Sequence, residues 1–351
     1  MKFYNLIIFI IIFFIKTGNV LSENTIFNVN NIIIEPKKYR NNQEFLDQAF
    51  KEGFFKLIER ISLRKDYIKL KQTNLDEIKN LISHFQIQTT NKENLLKKSI
   101  NIYFDKEKIN NFFYKNNLTY SDFVTKKITV LPIQYINNDI NVFSNNYFYQ
   151  NWSKSEISNE KYFKKLDYIL PIENLETIND INLSNKNYEN NDLKKILSDY
   201  GNKDMALIHI NIMNQKSKIF LQSVISGKKI NKTFQVNNIG NTDEEKFYDI
   251  IIKNSKQEIE DIIKKENILD LRTPIFLNLN FKLKSVKDYK IFQNILEKMS
   301  VVESYEVKEI NNESIKIKIK FYGKLKKFQQ SLDEKKIIIT IKDNQWYAHL
   351  R

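Results

Sequence analysis

The chain has 351 residues, of which 42% are hydrophobic and 13% aromatic. This content is enough to form buried cores and excludes an intrinsically disordered chain. Cysteine is absent, which excludes disulfide bonds and a lipid-modified cysteine. The formal net charge of +14 is typical of proteins that bind nucleic acid or anionic surfaces. Lysines spread over solvated faces give the same total.

The first 22 residues predict a secretory signal peptide. Lys2 provides a positive start, residues 6–15 form an unbroken apolar run, and Val20-Leu21-Ser22 is suited to cleavage after Ser22. This apolar run is shorter than the roughly 20 residues that cross a bilayer as a helix. We therefore expect cleavage and a periplasmic or secreted mature protein. The alternative is a protein anchored to the membrane by an uncleaved N-terminal segment.

Residues 23–135 are predicted to form an N-terminal α+β domain with the ferredoxin-like order βαββαβ. Apolar residues recur at helical spacing from Leu46 to Ile61, and Asp105 is suited to cap a later helix. The strand at 128–131 is expected to close this domain. The predicted elements lie, in chain order, at residues 26–34, 46–61, 75–82, 85–88, 96–104, 109–113 and 128–131.

Residues 136–268 predict a small α/β middle domain that ends in a long helix. Its predicted elements are a buried strand at 168–172, a helix at 192–200 ended by Gly201, consecutive strands at 205–212 and 219–225, and the long helix at 243–265.

Residues 269–351 give the clearest pattern. Isoleucine and lysine alternate from Ile315 to Lys320, which is the period of a strand with one buried face. The predicted strands and helices lie at 275–283, 289–299, 301–310, 315–321, 325–332 and 337–341, again in the order βαββαβ. The expected fold class is therefore α+β and α/β, with ferredoxin-like units at both ends flanking the middle domain.

Several segments resemble an uncharacterised family of exported Gram-negative proteins, the domain of unknown function 2066. The similar segments are residues 45–50 and 57–61 of the long helix, the strand Val130-Leu131-Pro132-Ile133, Trp152, and the helix and strand between 193 and 210. The resemblance covers roughly residues 26–265. It implies export and a similar fold, but no site residues.

No catalytic or cofactor motif is present in the sequence. The histidines His84, His209 and His349 lie far apart and have no partner at metal-ligand spacing. His209 lies inside an apolar strand and is expected to be a hydrogen-bonded core residue or a half-exposed residue, not a metal ligand. Gly227-Lys228-Lys229 lacks the upstream glycine and the Ser or Thr of a phosphate-binding loop. We therefore expect no catalytic residue, no metal and no cofactor.

Two acidic clusters are candidates for a carboxylate pair. Asp243-Glu244-Glu245 lies where a helix N-terminus attracts negative charge, and Glu258 with Asp261 lies on the polar face of the same helix, so structural roles are favoured. One aromatic cluster could form a stacking surface, but a core position is favoured for it. Its members are Phe143, Tyr147, Phe148, Tyr149 and Trp152.

The strongest electrostatic feature is the excess of lysine in the last domain, where residues 273–351 carry 16 Lys and Arg against 9 Asp and Glu. Five lysines are predicted on the open face of its sheet as a possible partner-binding surface: Lys282, Lys284, Lys316, Lys318 and Lys320. The expected partner is another envelope protein or an anionic envelope component. Nucleic acid is not expected, because the aromatic pattern of RNA-binding sheets is missing.

Three functions remain open from the sequence. The favoured one is a non-enzymatic binding or envelope-assembly accessory module. The alternatives are a cryptic carboxylate-dependent envelope hydrolase and a basic binder of anionic polymers.

Overall fold

The structure is a computed structural model. It describes residues 26–34, 41–92, 95–122, 126–136, 139–154, 166–183, 193–197, 200, 203–213, 215–240 and 242–351. These residues form ten α-helices and sixteen strands, so the predicted mixed α+β class is confirmed. Among them, no helix is both long and apolar enough to cross a membrane. The predicted signal peptide and Gly201 lie outside the described residues.

The N-terminal unit is a three-stranded antiparallel sheet in the order β1-β3-β2, covered by helices. Its strands are Asn28–Ile34 (β1), Ile82–Lys92 (β2) and Leu95–Phe104 (β3), and its helices are Asn42–Ile61 (α1), Arg64–Leu70 (α2), Leu75–Leu81 (α3) and Lys106–Lys115 (α4). Helix α1 packs closely on the sheet because Gly53 has no side chain, and a Cβ there would lie 2.6 Å from the Ile102 side chain. Phe54 and Leu57 of α1 are fully buried, each worth roughly 1.5–3 kcal/mol.

The strand predicted to close the N-terminal domain lies elsewhere. Residues 128–131 belong to β5 (Lys126–Ile136), which pairs in parallel with a strand of the middle sheet, so that part of the prediction is wrong. Every residue from Ile128 to Ile133 is buried, as expected for a strand covered on both faces. The edge of β1 is capped instead by the Arg60 guanidinium, which donates to the carbonyl oxygens of Ile26 and Asn28 at 3.0 and 2.6 Å.

The middle unit is a six-stranded mixed sheet in the order β10-β9-β8-β5-β6, with β7 also beside β5. Apolar cores lie on both of its faces. Ile251 and Ile263 of the long helix pack on one face, and Ile181 and Leu197 of two shorter helices pack on the other. The remaining strands are Asp139–Asn141 (β6), Leu166–Ile169 (β7), Met205–Met213 (β8), Lys216–Ile225 (β9) and Lys228–Asn237 (β10), and the helices are Tyr147–Asn151 (α5), Leu175–Leu183 (α6), Leu193–Leu197 (α7) and Glu244–Glu266 (α8).

A two-stranded ladder joins the ends of the N-terminal and middle units. It pairs Tyr120–Ser121 (β4) with Ile268–Leu269 (β11), directly after the long helix α8. This ladder places the end of α8 beside the start of the last unit.

The C-terminal unit is a five-stranded sheet in the order β13-β14-β12-β16-β15. Its elements are Ile275–Lys282 (β12), Val286–Lys298 (α9), Val302–Ile310 (β13), Ser314–Phe321 (β14), Leu325–Glu334 (α10), Ile337–Lys342 (β15) and Gln345–Leu350 (β16). The first four strands have the directions of a ferredoxin-like sheet, but β16 lies between β12 and β15 and runs parallel to β12. Stacked rings fix both helices on the sheet, with Phe321 and Phe328 centroids 4.1 Å apart.

Candidate functional site: a lysine-lined cleft between two units

The five lysines predicted as a partner-binding surface, here called the lysine face, lie on or beside the open face of the C-terminal sheet. The isoleucines of β14 are buried toward the helices, and Lys316, Lys318 and Lys320 lie on the opposite face. Two of these lysines pair with the neighbouring strand β13. Lys316 Nζ lies 2.5 Å from Glu309, and Lys320 Nζ lies 2.9 Å from Glu303. The lysines of β14 therefore alternate with glutamates in space.

The sequence analysis missed an exposed aromatic side chain within the lysine face, although the alternation of β12 places it on the same side of the strand as Lys282. Phe276 of β12 is 54% exposed, and the Lys318 ammonium lies 4.9 Å from its ring centroid. Lys282 and Lys284, at the end of β12, are exposed and make no ion pair with any described residue. They are the least compensated charges of the lysine face.

The histidines do not form a site. His84 is exposed and stacks on Tyr103 in the N-terminal sheet, whereas His349 lies on β16. His209 is buried beside Tyr135, whose hydroxyl lies 2.8 Å from its Nδ1, and burial lowers the pKa of His209 to about 4. This confirms its predicted core position. Within the described part of the chain, no group of three His, Cys, Asp or Glu side chains could hold a metal ion.

Both acidic clusters have structural roles. Asp243 caps α8 by accepting the Lys246 backbone N–H at 2.9 Å. Glu258 is hydrogen-bonded to Lys232, and Asp261 accepts the Arg64 backbone N–H at 3.2 Å, so these carboxylates help to join α8 to β10 and to the N-terminal unit.

The aromatic cluster is part of the middle core, as the favoured interpretation predicts. Phe143, Phe148 and Trp152 are fully buried, and Tyr147 and Tyr149 are half-buried.

A concave surface with concentrated charge lies between the middle and C-terminal units. This cleft has a volume of about 1130 Å³. Its walls are the end of the middle sheet where β5 and β8 begin, and helix α10 of the C-terminal unit. We call it the lysine cleft, because six lysines line it: Lys126, Lys203, Lys228, Lys324, Lys326 and Lys327. Four acidic residues also line it: Asp204, Glu266, Asp333 and Glu334.

One buried carboxylate organises the wall of the middle unit. Asp204 accepts the Ser226 backbone N–H at 2.6 Å and the Lys126 ammonium at 3.1 Å. Ser226 and Gly227 form the tight turn between β9 and β10, with φ of 52° and 81°, a conformation that suits a two-residue hairpin. Asp204 thereby fixes Lys126 and the turn that carries Lys228.

The last residue of α8 connects the two walls. The Glu266 carboxylate lies 2.8 Å from Lys228 Nζ of the middle wall and 3.2 Å from Lys324 Nζ of the C-terminal wall. Burial opposes its ionisation, but the hydrogen bonds from Lys228 and Lys324 outweigh burial and hold the pKa of Glu266 below its usual value. A single anionic group between the walls can therefore contact one lysine from each.

Lys327 has the most unusual environment in the cleft. Its ammonium donates to the Glu266 carbonyl oxygen and, at 2.7 Å, to Asn267 Oδ1, and it has no carboxylate within ion-pair distance in the described part of the chain. Burial, together with the nearby Lys126 and Lys324 ammonium groups, lowers the pKa of Lys327 to about 8. The cleft therefore has an excess of positive charge at the start of α10.

Two further lysines of the cleft are exposed, one on each wall. Lys203 precedes β8, and Lys326 lies in the first turn of α10. Neither makes an ion pair with any residue that the structure describes. The acidic residues of α10 lie at its other end, where Asp333 pairs with Arg351 at 3.2 Å. An anion is therefore favoured near the start of α10 and disfavoured near its end.

No protein-family model matches the chain, and no curated protein sequence matches it significantly. The resemblance to the domain of unknown function 2066 remains a prediction.

Proposed function

We propose that this protein is a non-enzymatic, exported binding protein and that its lysine cleft holds an anionic component of the cell envelope. The observation that supports this proposal is the convergence of six lysines from two units on one cleft, with Lys203 and Lys326 exposed and unpaired among the described residues. Export rests on the predicted signal peptide.

The physical basis is electrostatic. A charge in a partly desolvated cleft interacts more strongly than the same charge on an open surface, because the effective dielectric constant is lower and salt screens less. Burial and, to a smaller extent, the neighbouring Lys126 and Lys324 ammonium groups depress the pKa of Lys327. A bound anion would offset the repulsion among these lysines and would be attracted to the cleft during its approach.

No specific observation favours the hydrolase alternative. A carboxylate-dependent hydrolase needs a pair of carboxyl groups with one of them available as an acid. Glu258 and Asp261 are instead engaged by Lys232 and by the Arg64 backbone.

The test compares two variants with the same net charge. The cleft variant, Lys203→Gln with Lys326→Gln, removes two exposed lysines of the cleft that make no ion pair with a described residue. The matched control, Lys282→Gln with Lys284→Gln, removes two exposed lysines of the lysine face that likewise make no ion pair with a described residue. Both should keep stability within about 0.5 kcal/mol of the original, since all four side chains are exposed.

Binding is measured as the fluorescence anisotropy of labelled dextran sulfate at low salt. We expect the cleft variant to bind about five- to ten-fold more weakly and the control to stay within about two-fold, because only the cleft concentrates charge. Equal losses in both variants, or a larger loss in the control, would refute the cleft as the binding site.

A further inference from the structure

Three of the six lysines that line the cleft have no carboxylate partner among the described residues. Lys126 is paired with Asp204, and Lys228 and Lys324 share Glu266. Three ammonium groups then remain without a carboxylate partner in the described part of the chain: Lys203 on the middle wall and Lys326 and Lys327 on the C-terminal wall.

Resting on the proposed function, we infer that the ligand of the lysine cleft carries at least two phosphate-type groups and bridges the two walls, with one group toward Lys203 and another toward Lys326 and Lys327. Glu266 already forms such a bridge within the protein, since its single carboxylate contacts one lysine from each wall. A ligand with two anionic groups would repeat this bridge where the protein supplies no acid.

The charge of each group favours phosphate over carboxylate. A phosphate monoester carries about −1.5 to −2 charges at neutral pH and three acceptor oxygens, so one group can compensate two lysines. A carboxylate carries one charge. Lys326 and Lys327 both lie in the first turn of α10, and because Lys327 already donates to the Glu266 carbonyl oxygen and to Asn267 Oδ1, the ligand group there would contact mainly the exposed Lys326, with Lys327 contributing its charge.

The size of the cleft also exceeds what a single oxyanion would fill. Its volume of about 1130 Å³ lies above the range of about 300–1,000 Å³ that is typical of pockets for drug-sized ligands. The acidic residues at the far end of α10, Asp333 and Glu334, would repel a second anion placed there. The phosphate groups are therefore expected between Lys203 and the start of α10.

The experiment is isothermal titration of the protein with three probes at constant ionic strength: sodium tripolyphosphate, orthophosphate and citrate. We expect tripolyphosphate to bind at least about ten-fold more tightly than the other two, because only it can place a phosphate group on each wall. Lys203→Gln and Lys326→Gln should each weaken tripolyphosphate binding about three- to ten-fold, and Lys282→Gln should change it less than about two-fold.

Each contrary result overturns a distinct statement. If orthophosphate binds as tightly as tripolyphosphate, and Lys326→Gln weakens both, the bridging ligand is wrong while the anion-binding cleft stands. If citrate binds as tightly as tripolyphosphate, the preference for phosphate is wrong. If neither Lys203→Gln nor Lys326→Gln changes the affinity for any of the three probes, and circular dichroism shows that both variants are folded, the proposed function itself is wrong.

A second arm distinguishes a soluble ligand from a lipid head group. Vesicles of cardiolipin and phosphatidylcholine are added as competitors of tripolyphosphate. We expect no competition, because the middle sheet and α10 wall the cleft on two sides. Competition would show that the inference of a soluble ligand is wrong and would assign the phosphate groups to the head group of a membrane lipid.

Discussion

The lysine face and the lysine cleft are both rich in lysine, but their charges have different surroundings. On the lysine face, β13 places Glu309 and Glu303 beside Lys316 and Lys320, and the pairs are open to solvent. In the cleft, one glutamate is shared by two lysines, and Lys327 is partly buried. The comparison shows that alternating lysines in a strand predict an exposed face of a sheet. They do not predict the electrostatic potential of that face, because the neighbouring strand supplies the glutamates.

This difference has energetic consequences. Exposed ion pairs such as those of β13 and β14 contribute roughly 0–1 kcal/mol each. In the cleft, Asp204 and Glu266 pair with three of the six lysines, and the remaining lysines line a concave surface, where a charge interacts more strongly with a ligand than on an open face. The lysine face is therefore best described as a solvated surface with local pairing, and its partner-binding role remains a prediction.

The largest expected effect comes from charge reversal in the cleft. Lys203→Glu combined with Lys326→Glu should weaken dextran sulfate binding by about 30-fold or more, because each change replaces attraction by repulsion. The measurement is fluorescence anisotropy at low salt. Lys282→Glu combined with Lys284→Glu has the same net charge and should weaken binding by about three-fold at most. A reversed order of the two effects would assign binding to the lysine face.

The second prediction uses the titration of Lys327. Its pKa is lowered to about 8 in the free protein by burial and by the nearby Lys126 and Lys324 ammonium groups, and Glu266 and Asp204 oppose this shift. An anion favours the protonated lysine, so tripolyphosphate affinity should fall about three- to five-fold between pH 7 and pH 9 as the proton is lost.

The control for this pH dependence is Lys327→Arg, which stays charged over the whole range. Titration calorimetry should show a weaker dependence in that variant, after correction for the titration of tripolyphosphate itself. A pH dependence that is unchanged in Lys327→Arg would show that Lys327 does not face the ligand.

The third prediction turns the lysine face into a binding surface. Glu303→Gln with Glu309→Gln removes the carboxylates that pair with Lys320 and Lys316. Dextran sulfate binding should then increase about two- to three-fold, because two lysines lose their local partners. The increase should also appear in the Lys203→Gln, Lys326→Gln background. No gain in either background would mean that the glutamates do not mask these lysines.

The smallest expected effect concerns stability without ligand. The pKa of Lys327 in the folded protein, about 8, lies below the ordinary value of 10.5, so the unfolded chain holds more protons between these pH values. Relative to Lys327→Arg, the original protein should therefore gain stability as the pH rises from 8 to 10.5. Thermal unfolding should show that the melting temperature of the original protein, minus that of Lys327→Arg, rises slightly between pH 8 and pH 10.5. A difference that stays constant or falls over this range would contradict the partial burial of this ammonium group.

Local patterns predicted much of the fold. The alternation in β14 and the helical spacing in α1 placed these elements correctly, and the core position of His209 followed from its apolar strand. Burial on both faces marks β5 as a central strand, but it does not show which strands lie beside it. The prediction for β5 failed because its parallel neighbour β8 is far away in sequence.

Two of the missed strands, β10 and β16, follow turns that could have indicated them. Ser226-Gly227 precedes β10, and Asp343-Asn344 precedes β16, and both pairs have positive φ angles that suit two-residue hairpins. The six exposed residues of β10 and the short length of β16 weaken the apolar signal that marks a strand. Turn chemistry was the better indicator at both places.

The cleft could not be predicted from sequence, because its lysines come from four separate segments. Lys126, Lys203 and Lys228 become neighbours only when β5, β8 and β10 join one sheet. Gly227-Lys228 was considered as part of a phosphate-binding loop and set aside, yet it lines the cleft as a hairpin turn. The lysines at 324–327 were the only local indication.

Hydrogen exchange measured by mass spectrometry, with and without tripolyphosphate, tests the anion-binding cleft most directly. We expect slower exchange with the ligand in peptides that cover residues 224–230 and 324–330, which lie on the two walls, and unchanged exchange in peptides that cover residues 302–321 of the lysine face. Slower exchange confined to residues 275–284 and 302–321, or no change on either wall at saturating ligand, would contradict anion binding in the cleft.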